Sequence, residues 1–243
     1  MLDTGNRGGF VRHLFDEAAS DYDRIAAFMA LGSGRWYRRR ALQRAGLRRG
    51  MTVLDVAIGT GLVAREALRV VDRPADVVGV DVSFGMLSRA AAALPVSLVL
   101  GRGEQLPFRA ASFDFLSLGY ALRHLDDLAS TFAEFFRVLK PGGVVGILEI
   151  TRPERPLASR ALGFYMGRVM PAVARVVGRR ASTGDLCRYF WDTIERAPAP
   201  DAVLRALSSA GFRDPHRHLV YGIFSEYRAC RPAVNRVATP SLP

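Results

Sequence analysis

The segment Val53-Leu54-Asp55-Val56-Ala57-Ile58-Gly59-Thr60-Gly61 constrains the fold more than any other part of the chain. An apolar run ends on a carboxylate, two glycines follow, and a helical apolar pattern begins at Leu62. That order specifies a strand, a tight turn and a helix, with glycines that tolerate positive φ and let a ligand approach the backbone. The same punctuation recurs downstream. Strand-like runs at Thr52 to Ala57, Val77 to Val82, Ser97 to Leu100, Phe113 to Leu118 and Val144 to Ile150 alternate with helical stretches from Leu62, over Gly85 to Ala93 and over Leu128 to Leu139. Strands apolar on both faces, interleaved with helices, predict a doubly wound α/β fold with a mostly parallel sheet.

Two further strand-like runs, His216 to Val220 and Ile223 to Cys230, follow a helix over Pro200 to Ala210 and fit a C-terminal antiparallel hairpin, for a seven-stranded sheet. Lys140-Pro141-Gly142-Gly143 is expected to stop the preceding helix and turn into the next strand. Before the alternation, residues 10–45 read as helices, because Phe10, Leu14, Phe15 and Ala18 recur at helical spacing and Trp36, Arg40 and Leu42 begin a second run. Residues 151–198 leave the alternation and read as a helical lid insertion, with residues 51–150 as the ligand-binding core and residues 232–243 as a disordered tail. One domain over residues 1–231 is expected.

Composition narrows the partners. The formal charge of +11, carried mostly by arginine, favours contact with phospholipid headgroups, nucleic acid or acidic metabolites, and a solvated surface accounts for most of it. The arginines lack the aromatic interleaving of a single-strand binding groove, and no RNA-binding module is attached, so nucleic acid is disfavoured. Cys187 and Cys230 sit in unrelated contexts and read as unpaired thiols, with no metal site. No signal peptide or membrane-spanning run is present in the sequence, so a cytoplasmic protein is expected.

The glycine turn by itself suits several nucleotides. A dinucleotide loop wants a third glycine, where Ala64 stands, although some such loops tolerate that. Asp55 tips the balance: an anion where a pyrophosphate would sit suits a cationic sulfonium carrying an ammonium group. Asp81 ends the second strand at the distance, about 20 residues past the turn, from which a carboxylate accepts both ribose hydroxyls of an adenosine. Each carboxylate could instead cap the helix that follows it.

These residues resemble the class I S-adenosylmethionine-dependent methyltransferases, and more closely the ubiquinone/menaquinone biosynthesis C-methyltransferase family, over about residues 14–230. The most specific match is Arg137-Val138-Leu139-Lys140-Pro141-Gly142-Gly143 followed by Ile147-Leu148-Glu149-Ile150-Thr151, with Thr151 where Ser is usual. Glu104-Gln105-Leu106-Pro107-Phe108, Ser112-Phe113-Asp114, Leu122-Arg123 and Ala210-Gly211-Phe212 are also typical. The resemblance implies a Rossmann-like methyltransferase fold with S-adenosyl-L-methionine as cofactor. It implies Asp55, Gly59 and Gly61 at the methionine end, Asp81 at the ribose and Gly103 and Glu104 at the adenine, with Ala57, Thr60, Val82 and Met86 also binding the cofactor. Gly119 and Tyr120 would face the sulfonium and the acceptor, and Tyr22 would close over the cofactor.

The departures fall in particular places. Tyr22-Asp23 is followed by Arg24-Ile25-Ala26 where the family has Met-Asn, and Ala30 and Gly34 replace a later Ser and His. Arg102 replaces the acid or amide that contacts the adenine amine, and Leu62 replaces an acid after the turn. The implied reaction is methylation of a hydrophobic phenolic or quinol acceptor, at carbon, in quinone-type biosynthesis; methylation of an aromatic secondary metabolite, and a diverged member that uses the cofactor for another reaction or only binds it, are the alternatives. His124, standing where the quinone enzymes have Asn, is the candidate base, and Arg123 the candidate holder of an oxyanion or water. Leu157 to Val177, with Arg160, Arg168 and Arg175 and with Arg179 beyond it, would form an amphipathic lid interrupted at Pro171, packed on the core or lying on an anionic membrane surface. A homodimer is compatible with everything above.

Overall fold

The computed structural model describes residues 34–169, 172, 192–194 and 196–233. The first helix expected within residues 10–45, Tyr22, most of the lid stripe, Cys187 and residues 234–243 lie outside the described residues. The elements run α1 (Gly34–Ala45), β1 (Val53–Val56), α2 (Leu62–Val71), β2 (Val77–Asp81), α3 (Phe84–Ala93), β3 (Ser97–Leu100) and β4 (Phe113–Gly119). They continue with α4 (Leu128–Val138), β5 (Leu139–Ile150), α5 (Pro156–Phe164), α6 (Pro200–Ser209), β6 (Arg213–Val220) and β7 (Phe224–Cys230).

The seven strands form one sheet in the order β3-β2-β1-β4-β5-β7-β6. The first five are mutually parallel, β1 lying between β2 and β4, while β7 runs antiparallel to both β5 and β6. The carboxyl ends of β1, β2 and β4 therefore meet at one edge, where the order turns from β1 outward in both directions. Open α/β sheets bind ligands at that kind of place.

Alternate residues of each strand feed two cores, as the two-residue repeat of a strand requires. Leu54, Val56, Leu116, Leu118 and Ile147 pack against Phe132 and Phe135 of α4 and Val203 and Leu207 of α6. Val53, Val77, Phe115 and Val144 pack on the other face against α1, α2 and α3. Each fully buried large side chain of this kind contributes roughly 1.5–3 kcal/mol by leaving water. Truncating Phe135 to Ala would cost about 3–5 kcal/mol once the cavity is included.

Helix α1 buries Tyr37, Arg38, Ala41, Leu42 and Ala45. Trp36, expected in the apolar run, is 54% exposed, because the buried stripe is phased one residue later. An electrostatic lock fastens α1 to α2: the fully buried Glu66 faces Arg35 and Arg39 at 3.5 Å each and Arg69 at 2.5 Å.

The Lys140-Pro141-Gly142-Gly143 stop is a bulge rather than a loop between elements. Helix α4 ends at Val138, Leu139 already pairs with Phe113, and regular pairing resumes at Phe115 with Val144. Gly142 takes φ 81°, and its N–H donates to the Arg231 carbonyl at 2.9 Å. Other boundaries shift by up to three residues, most at β6, which starts at Arg213 rather than His216 because Arg213 pairs with Cys230.

Candidate active site

The site grows from the turn between β1 and α2. Ala57, Gly59 and Gly61 all take positive φ (53°, 57° and 87°), and Gly61 is the residue from which α2 starts. A side chain at Gly61 would place its Cβ 2.5 Å from Leu94 Cδ1, whereas a Cβ on Gly59 would meet nothing within 4 Å. Gly61 thus serves the packing of α2, while the Gly59 backbone is open to a ligand. Thr60 between them is buried.

Asp55, buried at the tip of β1, accepts a hydrogen bond from the Ser117 hydroxyl at 2.5 Å. Its second oxygen is also buried and meets no hydrogen-bond partner among the described residues. Burial pushes the Asp55 carboxyl up to about 7; the Ser117 hydroxyl and the Ala64 N–H pull it down, and the neighbouring Asp81 charge raises it further. Asp81 Oδ2 accepts the Gly59 N–H at 2.8 Å and Oδ1 the Ser83 N–H at 2.9 Å. Asp81 does not cap the helix that follows it, whereas Asp55 receives the Ala64 N–H from the first turn of α2. Helix α2 starts from Gly61 without a side-chain cap, and α3 is capped by Ser83 Oγ, which accepts the Met86 N–H at 3.0 Å.

Beside Asp81, Met86 is buried, but Val82 just past β2, Phe84 at the start of α3 and Leu100 at the end of β3 are 42%, 72% and 60% exposed. This apolar shelf next to a carboxylate suits a flat ring system. Gly103 packs against Val56, Thr131 and Phe135. Glu104 faces Arg102 at 3.4 Å, so the cation at the expected adenine edge is paired along the loop.

At the tip of β4, a Cβ on Gly119 would fall 2.5 Å from Val63 Cγ2, so only glycine lets α2 come this close. Tyr120 follows with φ 60°, a costly value for a tyrosine, and its N–H donates to the Leu148 carbonyl at 2.6 Å. The ring lies under Arg38, whose guanidinium carbon is 5.5 Å from its centroid. Burial, and then the proximity of Tyr120, raises the pKa of the Tyr37 hydroxyl.

A short 3-10 turn, Leu122–His124, continues from there. Arg123 is buried and forms an ion pair with the fully buried Glu149. Its N–H donates to Glu149 at 3.3 Å and its Nε to the Thr193 hydroxyl at 3.1 Å. The half-buried His124 closes the turn, its N–H bonded to the Ala121 carbonyl at 2.9 Å. The fold thus gathers Asp55, Gly59, Asp81, Gly119, Tyr120 and the Arg123–His124 turn at one sheet edge.

Sequence reasoning missed Ser117, Glu149, Phe84, Leu100, Thr193 and the Tyr37–Arg38 pair. The first two carried a signal, since a hydroxyl or carboxylate inside an apolar strand has to find a partner.

The model of the ubiE/COQ5 methyltransferase family matches residues 3–231. The chain belongs to that family. A ubiquinone/menaquinone biosynthesis C-methyltransferase UbiE of Geobacter sulfurreducens is 33% identical over 91% of this chain and 88% of its own length. A demethylmenaquinone methyltransferase of Corynebacterium glutamicum is 33% identical over 91% of this chain and 94% of its own. Among solved structures, a SAM-dependent methyltransferase of Thermotoga maritima, described as a possible histamine N-methyltransferase, superposes with a TM-score of 0.64 at 19% identity, over 90% of this chain and 99% of that one. This last likeness concerns the fold, and it agrees with the seven-stranded sheet expected from sequence. In this methyltransferase family member, the second signature has a structural task. Lys140 donates to Asp114 Oδ2 at 2.8 Å, and the same oxygen accepts the Thr52 N–H at 2.9 Å and hydroxyl at 2.7 Å, so two sequence motifs meet at the end of the sheet remote from Asp55.

Proposed function

We propose that the protein transfers a methyl group from S-adenosylmethionine to a ring carbon of a hydrophobic phenolic or quinol acceptor in quinone-type biosynthesis. The observation that carries this reading is the pair of carboxylates, Asp55 and Asp81, at adjacent strand tips beside a left-handed glycine turn. A pyrophosphate would be repelled there. A cation fits: the unsatisfied Asp55 oxygen answers an ammonium group, Asp81 can accept ribose hydroxyls beside its two backbone bonds, and the Val82–Phe84–Leu100 shelf accepts a flat base. When bound, the donor supplies a methyl group already activated on its sulfonium.

What this chain must add is alignment and proton removal. Tyr120 and Gly119 face the acceptor side, and His124 takes the proton from the acceptor hydroxyl, so that the ring carbon becomes nucleophilic. Arg123 has Nε and Nη1 engaged by Thr193 and Glu149, which favours a positioning role in which it fixes the turn carrying His124. The names of the two relatives support a quinone-type acceptor. The Arg24-Ile25-Ala26 departure keeps an aromatic secondary metabolite as a second acceptor class.

Contact with an anionic membrane belongs to this reading too. Leu157 and Phe164 of α5 are 80% and 60% exposed, with Arg155, Arg160 and Arg168 exposed around them. No helix among the described residues is long and apolar enough to cross a membrane. Mass spectrometry of lipid extracts from cells with and without the gene tests the function: a shift of one methyl group in a quinone precursor supports it, and an unchanged quinone pool contradicts it.

A further inference from the structure

Among the described residues, Arg38 is a buried cation that faces no carboxylate. It sits on the buried face of α1 with only 8% of its surface exposed, and its Nε is buried without a hydrogen-bond partner among the described residues. Three other arginines of α1 meet carboxylates, Arg35 and Arg39 at Glu66 and Arg44 at Glu226 at 2.9 and 2.5 Å, while the exposed Arg40 stacks on Trp36. Arg38 is instead held over the ring of Tyr120, 5.5 Å from its centroid, at the tip of β4.

A guanidinium stays charged at any ordinary pH, and burying one without an anion is costly. A cation–π contact offsets only part of that cost. Tyr120 itself is held at φ 60°, so both members of the stack are kept in place against a local preference, at the edge where Gly119 and Asp55 lie. Strained or uncompensated groups concentrated at one such point mark a ligand site.

We propose that Arg38 is a ligand-binding residue whose guanidinium takes an anionic oxygen brought into the site, a carboxylate or a phenolate. Both sources share the chemistry of a delocalised oxyanion accepting N–H donors from a planar fork. The amino-acid carboxylate of the methyl donor and the ionised hydroxyl of the acceptor each provide one. This inference rests on the methyl-transfer reading for the nature of the two ligands, and binding measurements separate it from that reading.

The test compares the wild type with Arg38→Met and Arg38→Lys. Calorimetry measures S-adenosylhomocysteine and 5′-methylthioadenosine, which lacks the amino-acid carboxylate, and kinetics measure KM for a demethylquinol. If the donor carboxylate is the partner, Arg38→Met weakens S-adenosylhomocysteine tenfold or more, leaves methylthioadenosine within twofold, and Arg38→Lys recovers much of the loss. If the acceptor oxygen is the partner, both nucleosides are unaffected, and the acceptor KM rises tenfold or more as the pH profile of kcat/KM moves upward. The proposal is overturned if both ligands and the acceptor stay within twofold, or if the two nucleosides weaken equally in Arg38→Met and Arg38→Lys. Failure of wild type to bind S-adenosylhomocysteine would instead overturn the functional reading beneath it.

Discussion

Asp81 and Gly59 are joined by a 2.8 Å hydrogen bond from the glycine N–H to the carboxylate, which ties the tip of β2 to the turn that follows β1. One buried side chain thus shapes the glycine turn and the start of the helix after β2, since it also accepts the Ser83 N–H. Replacing Asp81 by Ala should loosen the turn as well as remove a ribose acceptor. The expected result is at least a tenfold loss of S-adenosylmethionine affinity by calorimetry, with about 1–3 kcal/mol of stability lost because the half-buried Gly59 N–H and the buried Ser83 N–H lose their acceptor.

Glycine substitutions separate packing from ligand approach. Gly61→Ala forces a Cβ to within 2.5 Å of Leu94 Cδ1 at φ 87°, and should lower stability by about 1–3 kcal/mol in chemical denaturation. Gly59→Ala places its Cβ within 4 Å of no described residue and should cost only about 1–2 kcal/mol for its left-handed backbone. Its larger effect should be on donor affinity.

Burial raises the Asp55 carboxyl to about 7, so the ligand-free protein binds this proton more tightly folded than unfolded. The stabilisation is complete below the unfolded value near 3.8 and is lost as the pH rises through about 7. Asp55→Asn should therefore flatten the decline of stability between pH 4 and 8, by up to a few kcal/mol at the alkaline end, since tenfold in an acid constant is about 1.4 kcal/mol. Donor affinity moves the other way. The wild type should bind the cationic donor more tightly at pH 8 than at pH 6, and Asp55→Asn should remove that dependence; differential scanning fluorimetry and calorimetry read the two effects.

Arg123 and Glu149 form a buried pair, so removing one partner strands a charge. Glu149→Gln should cost about 3–5 kcal/mol, and the double variant Arg123→Met with Glu149→Leu should recover part of it. His124→Ala, by contrast, should lower kcat tenfold or more, within the usual reach of one general base, while S-adenosylmethionine binding is unchanged. Unchanged turnover would remove His124 from the mechanism.

Much of this was legible in the chain because it is local. Ser97 to Leu100 is the strand that the sequence predicts, and the left-handed turn at Gly59 and Gly61 follows from their residue type. The phase of α1 was not, because Trp36 and Tyr37 are both apolar and aromatic, and only the partner surface at Phe224, 4.8 Å from the Tyr37 ring, selects one. The Lys140–Asp114 and Arg123–Glu149 pairs each span 26 positions, beyond any periodicity, so sequence showed the residues without their joining. The extra length of β5 was hidden by Pro141 and Gly142, which read as a stop because a bulge and a loop share the same residue chemistry.

The central claim is that Asp55 and Asp81 hold a cationic adenosyl donor. Isothermal titration of S-adenosylmethionine into the wild type and into Asp55→Asn tests it most directly. The account predicts saturable one-site binding to the wild type, weakened tenfold or more in Asp55→Asn at pH 8. Absence of binding to the wild type at millimolar donor, or equal affinity in both proteins, would contradict it.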